Sequence, residues 1–317
     1  MAKTSEASPW PGLLASSTAG MIARVTCHPL DTCKAILQVQ HSKKHAAVTG
    51  GQVGYSNFVH VLRATLQREG IVGLYRGFGV AFFGGAPGLC LYLSSYEKSK
   101  SWLGSFSYFQ EQPAMSHFVS GMTAEAFSCV LFVPIDITKE RLQIQGMGGG
   151  TTFNYKGNMD AIRQIWRHEG LRGVYKGYGA TLLSFGPFSA FYFTFYEQLK
   201  AQSLVLTRTH PNDVPFIQHM LNSVLAGMAA SFVTNPLDLV KLRLQVQRSG
   251  IASGGGDMLP WGRPYRHLFD GLSQIVKTEG TSALLKGVGA RMAFHGPATA
   301  ISMACYESLK SEFTPYF

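Results

Sequence analysis

The sequence predicts an all-α membrane protein: six membrane-crossing helices in three related units, each unit holding a short amphipathic helix between its two spans. Three observations carry that expectation. One segment recurs three times, six long apolar stretches alternate with polar links, and charge is scarce for a chain of this size. Of 317 residues 15% are charged, against 46% hydrophobic and 12% aromatic, whereas a soluble domain usually carries about 25% charged residues to cover its surface. Mean hydropathy lies above zero. Intrinsic disorder, collagen-like repeats and a disulfide scaffold are excluded by the same figures.

The recurring segment reads HPLDTCKAILQVQ from His28, VPIDITKERLQIQ from Val133 and NPLDLVKLRLQVQ from Asn235. Its prolines, Pro29, Pro134 and Pro236, stand 105 and 102 residues apart. A second signal follows each: EGIVGLYRG from Glu69, EGLRGVYKG from Glu169, EGTSALLKG from Glu279. A third closes each unit, a Tyr-Glu pair with Lys three residues on, at Tyr96, Tyr196 and Tyr306. Three signals in one order define repeats over 12–112, 113–213 and 214–312.

The apolar stretches cover roughly 12–40, 77–100, 114–145, 177–200, 214–247 and 287–310. Each is long enough to cross about 30 Å of hydrocarbon at 1.5 Å per residue. Arg24, Glu125, Arg291 and many small residues interrupt them, so one face of each helix is expected to meet lipid and the other a polar space. Between the spans of unit one, Phe58, Val59, Leu62 and Leu66 have helical spacing and predict a helix lying along the membrane surface.

Six antiparallel spans place both termini on one side. The links 41–76, 146–176 and 248–286 carry net +4, +3 and +2. The opposite links and the termini total −2. Basic charge thus gathers on the long-link side, which the positive-inside rule makes the inner side. The formal charge of +10 is read as topology, with no nucleic-acid partner expected, since no aromatic-basic recognition motif accompanies it. Five scattered cysteines form no CxxC pair, so neither a metal site nor a secreted disulfide framework is expected. The first residues fit neither a signal peptide nor a presequence, which makes an internal targeting address the expectation.

In each first helix an Asp and a Lys stand three apart on one face: Asp31/Lys34, Asp136/Lys139 and Asp238/Lys241. If three units close a ring, these groups converge at one mouth and each Lys can reach the neighbouring unit's Asp. Gln38, Gln143 and Gln245, seven residues after each Asp, are placed to brace such a ring from below. The second helices carry Glu97/Lys100, Glu197/Lys200 and Glu307/Lys310, which emerge at the opposite mouth. One breakable ionic layer at each end of a membrane ring describes an alternating-access device. Each exposed pair is worth about 0–1 kcal/mol, weak enough to open again.

The triplicated Pro-x-Asp-x-x-Lys, Glu-Gly…Arg/Lys-Gly and Tyr-Glu-x-x-Lys patterns resemble the mitochondrial carrier family over essentially the whole chain. The resemblance implies a monomeric, multi-pass transporter of a small metabolite in the mitochondrial inner membrane, with three matrix helices. It also implies cardiolipin bound at Gly77, Gly177 and Gly287, where Leu285 replaces the usual aromatic in unit three, and at Gly157 of Tyr155-Lys156-Gly157. The family's contact level falls on Gly84, Ser184 and Phe294, followed by Gly85, Phe185 and His295. Helical steps back from the gate place Arg24 and Glu125 on the cavity face, where unit three has Ser231 and Gly227, with Arg291 one turn deeper than Phe294. Two bases and one acid suit a substrate of both charge signs, amino-acid-like or S-adenosylmethionine-like, carried by exchange. Partial similarity to S-adenosylmethionine carriers and to mitoferrins leaves carboxylates, nucleotides and iron open, as well as a non-transporting receptor or scaffold. No catalytic constellation such as GxSxG, HExxH or a P-loop occurs, so neither an enzyme nor a cofactor is expected.

Overall fold

In a computed structural model the protein is described over residues 10–40, 55, 57–145, 154–207, 215–247 and 264–313, with only the backbone for 10–14, 113–114 and 310–313. Much of the long links and both chain ends, whose charge carries the topology expectation, lies outside the described residues. Among those described, every regular element is a helix. Unit one holds α1 (Trp10–Val39), α2 (Phe58–Leu74) and α3 (Phe78–Leu103). A short α4 (Ser107–Glu111) leads to unit two, with α5 (Pro113–Ile144), α6 (Asn158–Val174) and α7 (Tyr178–Thr207). Unit three holds α8 (Phe216–Val233), α9 (Asn235–Val246), α10 (Leu268–Glu279), a 3₁₀ turn (Thr281–Leu285) and α11 (Val288–Phe313).

The long helices close into a ring: α1 packs on α3, α3 on α5, α5 on α7, α7 on α8, α8 on α11, and α11 back on α1. Its helix contacts are built from small side chains, with Ala15, Ala19, Ala124, Ala226 and Ala230 at most 1% exposed, as close approach between membrane helices requires. Large apolar residues such as Phe83, Phe127, Phe193 and Leu225 point outward and are exposed. That pattern is the reverse of a water-soluble bundle and suits a lipid surround. Among the described residues Phe78–Leu103, Met115–Ile144 and Phe216–Val233 are long and apolar enough to span a membrane by composition. The remaining ring helices, α1, α7 and α11, run for 26 to 30 residues.

Unit three departs from the expected single span over 214–247, which divides into α8 and α9 at Thr234 (φ −91°, ψ 5°). A helix-interior proline leaves the carbonyl four residues earlier without its N–H partner. In unit one the carbonyl freed by Pro29 is that of Val25, which accepts from Tyr75 Oη at 3.3 Å. In unit two the carbonyl freed by Pro134 is that of Val130, which accepts from Tyr175 Oη at 3.1 Å. Both helices run on through their prolines. The matching residue in unit three is Leu285, which has no hydroxyl, and here the helix breaks.

Candidate functional site

The six Asp and Lys side chains of α1, α5 and α9, each two residues or more past its helix's proline, meet in one layer. Every contact joins two units. Lys34 Nζ lies 2.8 Å from Asp238, Lys139 Nζ 3.0 Å from Asp31, and Lys241 Nζ 3.2 Å from Asp136. Below them, Gln38 donates to Asp238 at 3.1 Å and Gln143 to Asp31 at 3.2 Å. The third glutamine differs. With its amide oriented to donate, Gln245 reaches the two carboxylate oxygens of Glu140 at 2.8 and 3.3 Å and not an Asp of the layer.

A second tier, unmarked by the sequence reading, ties the helix ends on the same side. Arg141 and Arg243 are fully buried. Arg141 pairs with Glu169 and donates from Nε and Nη2 to the carbonyls of Gln245 and Gln247, each at 3.1 Å. Arg243 sits 2.5 Å from Glu279 and donates to the carbonyls of Gln38 and Gln40 at 3.1 and 3.4 Å. Each arginine therefore fastens its own unit to the carbonyl end of the next first helix. Burial would raise the Glu279 carboxyl, but the hydrogen bond and charge of Arg243, reinforced by Lys286, hold it at about 2. Unit one has Ile36 at this position, and there Glu69 pairs with Arg76 at 2.8 Å. The signal was visible in the sequence as Arg, Arg and Ile five residues after the three Asp.

Above the ionic layer lies a cavity of about 290 Å³ lined by Arg24, Glu125, Ser184, Phe185, Phe294 and His295, with Arg291 at its floor. Arg24 is exposed within the ring and anchored by a 2.6 Å bond from Nη1 to the Ala81 carbonyl. Glu125 accepts from Cys129 Sγ at 3.4 Å and, among the described residues, forms no ion pair. The aromatic wall joins Tyr92 to Phe185 and Phe188 to His295, with ring centroids 6.4 and 5.3 Å apart. Ser184 spends its hydroxyl on the Ala180 carbonyl of its own helix at 2.7 Å.

Two expected contacts need correction. Gly84 faces the helix interface: a Cβ there would lie 2.4 Å from Ile135 Cδ1, whereas one on Gly85 would lie 2.6 Å from Arg24 Nη1. On α3 it is Gly85, not Gly84, that lies beside the cavity-lining Arg24. Arg291 is not a free base in mid-cavity. It is 5% exposed, donates to the Ser231 carbonyl at 2.9 Å and to Thr234 Oγ1 at 3.0 Å, and lies 3.3 Å from Asp238. It fastens the broken end of α8 to the ionic layer.

The opposite mouth is different. Glu97, Lys100, Glu197 and Glu307 are exposed or nearly so, and among the described residues no ion pair joins them to one another or to Lys200. The Lys310 side chain lies outside the described residues. Tyr96 and Tyr196 instead meet His117 and His219, at 2.6 and 2.9 Å. Ion pairs therefore join the units on the side of the links, and among the described residues none is seen between the helix ends on the side of the termini.

Gly77, Gly177 and Gly287 have φ of +74°, +82° and +73°, the left-handed region where only glycine is unstrained. Each presses on the next unit, against Lys139, Gln245 and Gln38 respectively. Gly157 precedes α6 with open space around it. Next to Gly287 a groove of about 350 Å³ runs past Asn57, Phe58, Lys286 and Val288, at the N-termini of α2 and α11.

The family model described as mitochondrial carrier protein matches residues 5–107, 110–204 and 212–317, one match per repeat. The chain belongs to the mitochondrial carrier family. It is similar to mitochondrial substrate carrier family protein E of Dictyostelium discoideum, 33% identical over 95% of both chains. It is also similar to the mitoferrin of that organism, 32% identical over 94% of this chain and 92% of the relative. The mitochondrial basic amino acids transporter of Rattus norvegicus is 30% identical over 92% of this chain and 86% of its own. The carrier is thus a multi-pass metabolite transporter of the mitochondrial inner membrane.

Proposed function

We propose that this carrier moves a small zwitterionic or cationic metabolite, amino-acid-like in its charged groups, by alternating access and exchange. One observation carries this reading: Arg24 and Glu125 line the same cavity, and neither is consumed by an ion pair among the described residues. An uncompensated charge in mid-membrane costs about 2.5–3.5 kcal/mol on insertion scales, so two such groups facing one space are retained for a ligand that neutralises both. A carboxylate meets Arg24 and an ammonium meets Glu125. The repeat positions of Glu125 in units one and three are Gly20 and Gly227. An asymmetric substrate needs such a break in threefold symmetry. The basic amino acids named for the rat relative fit the same charge pattern.

In this reading the three inter-unit Asp–Lys pairs are the matrix gate, with Gln38, Gln143 and Gln245 beneath them. Glu97, Lys100, Glu197, Lys200, Glu307 and Lys310 form the cytoplasmic gate, open here. The long basic links face the matrix. Cardiolipin phosphates sit at Gly77, Gly177, Gly287 and Gly157, since helix N-termini with an adjacent Arg or Lys attract anions, and the groove beside Gly287 has that chemistry. The carrier works as a monomer, and its ring performs no catalysis. The test is uptake into proteoliposomes loaded with amino acids, using labelled lysine, arginine, leucine and aspartate in parallel. Exchange of at least one cationic or zwitterionic species supports the reading, and uptake of aspartate alone overturns it.

A further inference from the structure

The ionic layer holds one acid that the threefold pattern does not call for. Glu140 follows Lys139 directly, where units one and three have Ala35 and Leu242. It is 6% exposed, lines the cavity floor, and among the described residues receives only the neutral amide of Gln245, at 2.8 and 3.3 Å. The charged groups around it are Lys34 from α1, Asp136 and Lys139 from its own helix, and Lys241 from α9. Asp31, Asp238, Arg291 and His295 complete the floor. Each of the three lysines is already engaged by an aspartate, at 2.8 to 3.2 Å, and Arg291 lies against Asp238. Cations and acids are equal in number here, but Asp238 takes both Lys34 and Arg291, and among the described residues Glu140 forms no ion pair.

We propose that Glu140 is a proton-binding site built into the matrix gate, filled while the gate is closed and emptied when it opens. The proposal rests on the gate reading given above. A buried carboxylate whose one hydrogen-bond donor is an amide, with the nearby lysines each held by an aspartate, is costly to ionise, because removing it from water loses hydration that a neutral donor does not replace. With the gate closed, its carboxylate therefore takes a proton from cavity water and becomes a neutral acid that still meets Gln245. Opening breaks the three Asp–Lys pairs, frees three ammonium groups and admits matrix water. Both changes favour the ionised form, and the proton leaves to the matrix. Each opening step then releases one proton, and closure takes one up.

Infrared difference spectroscopy of the purified, lipid-reconstituted carrier tests this without any substrate, with the proton itself as the ligand. A pH series from about 5 to 9 covers both ordinary and buried carboxyl groups. The wild type should show a protonated-carboxyl C=O band lost on alkalinisation. That band should be missing from Glu140→Gln and kept in Glu125→Gln. A band unchanged in Glu140→Gln, or no titrating band in the wild type, overturns the proposal. If Glu140→Gln does not fold, Gln245→Leu decides: loss of the amide donor should move the band's disappearance to higher pH, and an unmoved band overturns the assignment. Failure of the gate reading shows separately, as unaltered uptake after the Asp136 and Lys241 substitutions described below.

Discussion

Replacing Arg243 by Met removes a guanidinium that holds three helix ends at once. Its partners are the Glu279 carboxylate at 2.5 Å, the carbonyls of Gln38 and Gln40, and Tyr265 Oη at 3.2 Å. Methionine fills much of the space, so the main loss is electrostatic. The Glu279 side chain is 1% exposed, and breaking a buried pair by removing one partner costs about 3–5 kcal/mol. Lys286 still contacts Glu279, which places the expected loss near 3 kcal/mol, or roughly 6–12 °C in melting temperature. The control is the exposed Arg68 on α2, whose replacement by Met should stay within about 0.5 kcal/mol. Melting of the two variants in detergent, followed by tryptophan fluorescence or a thiol dye, makes the comparison. The acid limb follows with its sign. Glu279 is depressed from 4.5 to about 2 by folding, so its contribution is present above pH about 4.5 and is lost as pH falls toward 2. The wild type should lose stability across that window, and Arg243→Met should lose less. Equal melting of Arg243→Met and Arg68→Met at neutral pH would refute the latch.

Two further outcomes follow from the gate and the topology. Asp136→Ala, which strips Lys241 of its 3.2 Å partner, should slow exchange several-fold more than removal of the exposed Glu111. Exchanging the two charges, with Asp136→Lys and Lys241→Asp together, should recover part of the rate; wild-type exchange in all three single Asp→Ala variants removes the gate. An N-terminal tag should be cut by protease added outside intact mitoplasts, and cleavage only from the matrix side would invert the orientation.

Much of this architecture was legible because membrane helices advertise themselves by length and apolarity, and because threefold repetition separates signal from accident. The six stretches fall on the ring helices within about three residues, except that α7 runs on to Thr207 and the fifth stretch is divided between α8 and α9. What the pattern concealed was partner choice. The inter-unit Asp–Lys pairs follow from ring closure, whereas Gln245, placed by its register beneath an Asp, turns to Glu140 of another unit. The break at Thr234 was concealed in a similar way, since the same Pro-x-Asp segment runs on as one helix in α1 and α5. Gly84 was misplaced by one residue, which on a helix is a rotation of about 100° and enough to turn a side chain from cavity to interface. Arg291 was read as free because the sequence does not show that a severed α8 leaves a carbonyl for it to cap. Glu140 stood in plain view, but its meaning depends on Gln245 reaching it from another unit.

The central claim is that Arg24 and Glu125 select a substrate of both charge signs, and exchange by Glu125→Gln tests it most directly. The substitution keeps shape and the Cys129 contact while deleting the charge. The measurement is initial exchange of labelled lysine, or of whichever zwitterion the wild type carries, in proteoliposomes at matched protein content and matched melting temperature. The account expects uptake to fall at least tenfold, equivalent to about 1.4 kcal/mol of lost interaction. Uptake at the wild-type rate and affinity would contradict it and make Glu125 a structural residue of α5.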